Sequence, residues 1–214
     1  MRTRSQSRWA GSISEAMVRD GGRCGASWPG EVRLPCSSSH PHGLRPWQLE
    51  GKELNGGVND DDERHLLAAI ELAWQARKHG NHPFGALLVD ADGNVVLRAE
   101  NTVVTGPDCT GHAETNLMRM ASGRFSPEFL RGCVLYTSTE PCAMCAGAIY
   151  WGNVRRVIYA FSEEELGDIV GGNRDNPTLS LPCRELFARG QHEVEVSGPH
   201  LVDQARAVHE GFWS

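Results

Sequence analysis

From Asp60 onward, helical and extended patterns of apolar residues alternate along the chain. Leu66, Leu67, Ile70, Trp74 and Arg77 fall at helical spacing. The acidic run Asp60-Asp61-Asp62-Glu63 before them offers an N-cap and a first turn suited to the positive end of a helix dipole, and Gly80 ends the run. Two short apolar runs, residues 83–89 and 95–97, flank Asp90-Ala91-Asp92-Gly93-Asn94 and predict a hairpin. A helix is expected to begin at His112, a buried strand to cover residues 133–137, and a second helix to open at Pro141 and run through Ile149. Residues 154–160 read as another strand and 194–196 as a shorter one. The Gly/Pro-broken stretch between them contains a helical piece over 182–188. A connection that long, with a helix in it, predicts that strands 4 and 5 are parallel, because a parallel pair needs a crossover. Residues 201–212 close the chain as a helix. The expected class is α/β: a three-layer α/β/α arrangement around a mixed five-stranded sheet.

Residues 1–57 break this pattern. They are rich in Arg, Ser, Gly and Pro and hold no sustained period. The first dozen residues are Arg/Ser-rich and free of Asp and Glu, as in a transit peptide. The composition as a whole favours a disordered or spurious extension, although Trp9, Trp28 and Trp47 have no explanation in such a segment. The expected division is therefore an extension over 1–57 and one domain over 58–214.

Charge sharpens the division. Residues 1–57 carry 8 basic side chains against 5 acidic ones, whereas residues 58–214 carry 13 against 22. A domain that acidic repels phosphate backbones unless a basic patch is concentrated on one face, and Arg77-Lys78 and Arg155-Arg156 are its only adjacent basic pairs. A small neutral substrate suits it better than a polynucleotide. Seven cysteines, irregularly spaced apart from one Cys-x-x-Cys, suggest a reducing compartment and a metal site, not a disulfide framework. No stretch approaches the roughly 18 to 20 apolar residues that span a membrane, so a cytoplasmic location is expected.

The chemistry concentrates in two fragments, His112-Ala113-Glu114 and Pro141-Cys142-Ala143-Met144-Cys145. Cys142 and Cys145 stand three apart at a helix start, so both sulfurs project from one face. The helix N-terminus favours their thiolate forms, and Pro141 is expected in the first helical turn. Two thiolates and one imidazole leave a fourth tetrahedral position on zinc open, which is the pattern of a catalytic site. Glu114 is near enough to move protons without binding the metal. A lone Cys-x-x-Cys could equally be a redox pair or half of a structural zinc site, and a lone His-x-Glu carries little. Cys109 has ligand-like spacing to His112 and could close the metal as a fourth ligand. Cys133 and Cys183 read as buried small hydrophobes. His65, His79, His82, His192, His200 and His209 read as structural or solvated.

Together and in this order, the two fragments resemble the zinc nucleobase deaminase signature. Over residues 60–214 the chain is similar to the cytidine deaminase-like superfamily, within it to the branch of tRNA adenosine deaminases, bacterial guanine deaminases and fungal-type cytosine deaminases. The resemblance implies a five-stranded sheet with flanking helices, Zn2+ held by His112, Cys142 and Cys145, Glu114 as proton shuttle, and a homodimer with pockets near the subunit boundary. Pro83-Phe84-Gly85-Ala86, residues 136–142 and Gly147-Ala148-Ile149-Tyr150-Trp151 look most like guanine deaminases. By the same resemblance Asn101 hydrogen-bonds the substrate ring, the Ala113 N–H faces the base, Phe84 helps wall the pocket and Trp213 belongs to a C-terminal aromatic closure. Thr115 stands where these families carry an aliphatic residue and Cys109 where they often carry Pro. Residues 163–181 do not follow the guanine deaminase loop.

The expected substrate is a free nucleobase or nucleoside, guanine or a related amino-purine first. Cytosine-type deamination and deamination of adenosine in tRNA are rivals, and a zinc-stabilised non-catalytic interaction subunit is a third from another class. The basic C-terminal tail expected of a tRNA-acting member is not found in the sequence, and Glu114 has no use in a purely structural site.

Overall fold

In the computed structural model, residues 58–171 and 179–213 are described. The extension expected over 1–57 lies outside them. Helix α1 (Asp60–Lys78) opens the domain, followed by strands β1 (Gly85–Val89) and β2 (Val95–Glu100). Helices α2 (Ala113–Arg124) and α3 (Pro127–Arg131), strand β3 (Val134–Thr139), helix α4 (Ala143–Trp151) and strand β4 (Arg156–Phe161) come next. Helices α5 (Glu163–Val170) and α6 (Cys183–Phe187), strand β5 (Glu195–Ser197) and helix α7 (Val202–His209) complete it.

The sheet has five strands in the order β2-β1-β3-β4-β5. β1 is antiparallel to both β2 and β3, whereas β3, β4 and β5 run parallel, so the expected mixed sheet with strands 4 and 5 parallel is borne out. β1 is buried throughout, and β3 and β4 nearly so, because helices cover both faces of the sheet. Alternate residues feed two cores. Leu88, Leu135, Val157 and Tyr159 pack with α2, α4 and α6, while Leu87, Tyr136, Ile158 and Ala160 pack with α1, α5 and α7. Gly85 is required where α1 crosses β1: a Cβ there would sit 2.5 Å from the Ala69 carbonyl oxygen and from Leu72 Cβ.

Several boundaries differ from the sequence reading. The cap of α1 is Asn59, not a member of the acidic run. Its Oδ1 accepts from the N–H groups of Asp61 (2.9 Å) and Asp62 (2.8 Å). That frees Asp62 to turn inward, where it accepts a 2.6 Å hydrogen bond from the buried Tyr136 hydroxyl. Pro141 lies outside α4, because Cys142 is the N-cap with extended backbone (ψ 169°) and the helix begins at Ala143. Helices α3 and α5 were not anticipated. Each starts at a serine cap, Ser126 and Ser162, but at 5 and 8 residues neither is long enough to show a clear period.

Candidate active site

The site forms where β3 and β4 end and α2, α4 and α5 begin, the crevice at the carboxyl ends of parallel strands. His112 and Cys142 are the N-caps of α2 and α4, positions where Ser, Thr, Asp or Asn would ordinarily satisfy a free N–H. Neither side chain makes a capping hydrogen bond. Both are turned instead toward each other and toward Cys145, in the first turn of α4.

His112 Nδ1 stands 3.6 Å from the Sγ of Cys142 and 3.6 Å from that of Cys145. Tetrahedral zinc, with Zn–S of about 2.3 Å and Zn–N of about 2.0–2.1 Å, requires an N···S separation of about 3.6 Å, so the three atoms fit the metal. Among the described residues these are the three whose ligand atoms converge. Cys109 is exposed and lines the same cavity, but it is outside the cluster. Hydrogen bonding from Cys145, and then from the His112 ring, pulls the Cys142 thiol down to about 4. The Cys145 thiol is pushed up by that same bond and by burial. His112 is raised chiefly by its bond to Cys142.

Glu114, in the first turn of α2, is only 4% exposed. Its Oε1 accepts from Thr137 Oγ1 at 2.7 Å, and its Oε2 lies 3.3 Å from Cys145 Sγ. Burial, and then the negative charge of Cys142, push its carboxyl above the ordinary range. Glu163, at the start of α5, is raised to about 7, first by burial and then by Cys142 and Glu114.

A cavity of about 390 Å³ opens over this cluster. Phe84 and Trp213 line it with ring centroids 6.1 Å apart, and His82 packs edge-on to Trp213 at 5.2 Å. Asn101 follows β2 and is fully buried. Its backbone N–H donates to the Phe84 carbonyl and its Oδ1 accepts from the Val103 N–H, both at 3.0 Å, while its Nδ2 has no partner among the described residues. Ala113, the first residue of α2, is also fully buried.

A family model, the cytidine and deoxycytidylate deaminase zinc-binding region, matches residues 59–161. The chain is 40% identical to a probable cytosine deaminase of Schizosaccharomyces pombe, over 73% of this chain and 94% of that protein. The chain belongs to the cytidine deaminase-like family. This deaminase is also 42% identical to guanine deaminase of Bacillus subtilis, over 46% of its own length and 63% of that enzyme. It superposes on a solved tRNA:A34 deaminase with a TM-score of 0.53 and 28% identity, over 68% of its own chain and 99% of the other. It is a zinc-dependent hydrolytic deaminase, and His112, Cys142 and Cys145 form a cluster that could hold its metal.

Part of the deaminase site escaped the sequence reading. Thr137 and Glu140 lie in the stretch over 136–142 that resembles guanine deaminases but were given no role of their own, and Glu163 carries no motif and comes to the site through the β3–β4 pairing. His82, read as structural or solvated, lines the cavity instead, since the turn before β1 brings it against Trp213. His209 is structural, buried beneath Phe84 and Trp213. Cys133 and Cys183 are buried as expected. The departure at Thr115 is accommodated by its hydroxyl, which donates to the carbonyls of His112 (3.0 Å) and Thr110.

Proposed function

We propose that this deaminase hydrolyses a free nucleobase, guanine or a related amino-purine first, releasing ammonia. The observation that carries the reading is the cavity itself. It is about 390 Å³, near the small end for ligand pockets, walled by Phe84 and Trp213, and among the described residues lined by no Lys or Arg. Such a pocket suits a planar neutral base and offers nothing to a phosphate.

Zinc, when bound, is a Lewis acid that lowers the pKa of a coordinated water toward neutrality. The chain's own residues do the remainder. Glu114 Oε2, on the cysteine side, takes one proton from water and delivers it to a ring nitrogen, then takes the second from the hydroxyl of the adduct and delivers it to the amino group, while Thr137 holds Oε1 in place. Water adds to the amino-bearing ring carbon, the C–N bond breaks, and a carbonyl and ammonia remain. The free Nδ2 of Asn101 and the backbone N–H of Ala113 orient the ring, and Phe84 and Trp213 stack against it.

Cytosine is the second reading, favoured by the 40% identity over 94% of the probable cytosine deaminase. The domain's acidity argues against tRNA. The remaining assignments follow the same reading. Residues 58–214 form the catalytic domain, and residues 1–57 are an extension to it. The cysteines described are free, which suits the cytoplasm. A homodimer forms through the outer face of α2 and α4, where Trp151 is 85% exposed. Among the described residues, no helix is long and apolar enough to cross a membrane.

The test is ammonia release from the zinc-loaded protein with guanine, adenine, cytosine, their nucleosides, triazines and tRNA. Turnover of guanine or another free base is expected. Activity confined to tRNA would overturn the reading.

A further inference from the structure

The cavity holds three carboxyl groups besides the metal-binding cluster, those of Glu114, Glu140 and Glu163, and two of them are already engaged. Glu114 is bonded to Thr137. Glu140 is 6% exposed and spends both oxygens on backbone: Oε1 accepts from the Cys183 N–H at 2.9 Å and Oε2 from the Glu163 N–H at 3.3 Å. Glu140 thus ties the starts of α5 and α6 to the end of β3. Its bond sets the position of Glu163 rather than meeting a ligand.

Glu163 is different. Glu163, Leu166 and Val170, at positions i, i+3 and i+7 of α5, line the cavity together, while Glu164 and Asp168 are exposed on the other side. Among the described residues its carboxylate forms no hydrogen bond and no ion pair. The neighbouring Glu165 bonds Ser162 and pairs with Arg206 at 3.0 Å, so the helix start already has its acidic partner. This half-buried carboxylate on an otherwise apolar strip of pocket wall therefore serves no contact among the described residues. Thr139 ends β3, in register with Phe161 of β4, which comes two residues before Glu163 in the chain. Thr139 is 2% exposed and lines the same cavity, and among the described residues its hydroxyl has no partner. Buried polar atoms without partners are rare in folded proteins, and a pocket lined by both a hydroxyl and a carboxylate that have no partner among the described residues is built for a donor.

We infer that Glu163, aided by Thr139 in the lining of the same cavity, is the specificity-determining residue of the pocket, selecting bases that present a ring N–H or exocyclic amino donor on that side and rejecting substrates that bring negative charge there. This deepens the nucleobase reading and rests on it. A carboxylate accepts from donors more strongly than a neutral acceptor does, and it repels a phosphate. A pocket whose polar atoms would be left unpaired discriminates against an analogue lacking the donor far more sharply than an apolar wall does.

The experiment uses the full zinc-loaded chain, with guanine, cytosine and their singly N-methylated analogues as probes, each methyl group removing one ring N–H. Ammonia release and calorimetric binding are measured for the wild type and for Glu163→Gln, Glu163→Ala and Thr139→Val, with zinc content checked throughout. For Glu163→Gln the expected result is a KM or Kd raised about tenfold or more for the preferred base, with kcat changed less than about threefold. One methylated analogue should bind at least tenfold worse than its parent to the wild type, and about equally to Glu163→Ala. A wild type that releases ammonia while KM is unmoved by Glu163→Gln overturns this inference alone. A wild type that binds bases, and loses them on Glu163→Gln, but never releases ammonia, supports it and overturns the deaminase substrate reading. A wild type that neither binds nor turns over any base overturns both. A fall in kcat at unchanged KM assigns Glu163 to proton transfer, and the inference fails.

Discussion

Glu114 Oε1 accepts a hydrogen bond from Thr137 Oγ1 at 2.7 Å, tying the first turn of α2 to the middle of β3. The bond leaves Oε2 facing the cysteine cluster, so Thr137 sets which oxygen carries the proton. Thr137→Val keeps the shape and removes the donor. The expected loss is about 1–1.5 kcal/mol of transition-state stabilisation, roughly tenfold in kcat, with bound zinc unchanged. Glu114→Ala is expected to lower kcat by about 10²–10⁴ and still hold metal, measured by ammonia release beside metal analysis. Zinc lost from Glu114→Ala would refute its assignment as a group that moves protons without ligating.

Metal removal follows from the geometry of the cluster. Cys145 is nearly fully buried, and without a cation three acidic groups crowd one small volume. Chelation is expected to abolish activity and to lower the Tm, because metal bound to the folded state alone stabilises it by mass action. Zinc should restore both, and magnesium neither, since thiolate and imidazole donors do not suit a hard cation. Recovery with magnesium would contradict the donor set.

Trp213 reaches the cavity because Arg77 holds the end of the chain. The Arg77 guanidinium donates to the carbonyls of Val208 (2.6 Å) and Glu210 (2.9 Å) and lies 5.5 Å from the ring centroids of Trp74 and Phe212. Arg77→Ala is expected to raise KM several-fold with a smaller change in kcat, by letting the aromatic wall move. Trp213→Ala should do the same. Two residues acting through one wall are not additive, so the double variant should be little worse than Trp213→Ala alone. Full additivity in KM would mean that Arg77 acts elsewhere.

How much of this was legible in the sequence depends on how far apart the cooperating residues lie. The metal cluster was readable because Cys142 and Cys145 share one helix start and His112 and Glu114 share another, so spacing alone carries their geometry. The hairpin and the parallel order of strands 4 and 5 were readable from turn chemistry and from the length of a connection. Thr137 and Glu163 were not, since their approach to Glu114 and Cys142 is decided by the packing of α2 on the sheet and by the β3–β4 pairing, between segments more than 20 residues apart. Asn59 was missed as a cap because the neighbouring acidic run satisfies the same preference, and only the inward turn of Asp62 toward Tyr136 separates them. His82 and Trp213 meet at opposite ends of the domain sequence, where no local pattern connects them.

His209 ties pH to stability. It is 1% exposed, its ring stacks on Phe161 at 5.6 Å, and its Nδ1 accepts from Trp213 Nε1–H at 3.3 Å, a contact open only to the neutral ring. Burial, and then the charge of Arg77, lower it from 6.5 to about 4. Between those values the unfolded chain binds a proton that the folded chain refuses, so this contribution is fully present above pH 6.5 and declines as pH falls toward 4, with no further loss below. At 1.36 kcal/mol per unit, the full penalty is about 3 kcal/mol, and about 2 kcal/mol of it appears between pH 7 and pH 5. Other groups titrate in the same range, so the quantity to measure is a difference. Urea unfolding of the wild type and of His209→Gln at pH 7 and pH 5 should show the wild type losing about 2 kcal/mol more than the variant. Equal losses would mean that the ring takes its proton in the folded state, and that the wall formed by Phe84 and Trp213 opens to admit it.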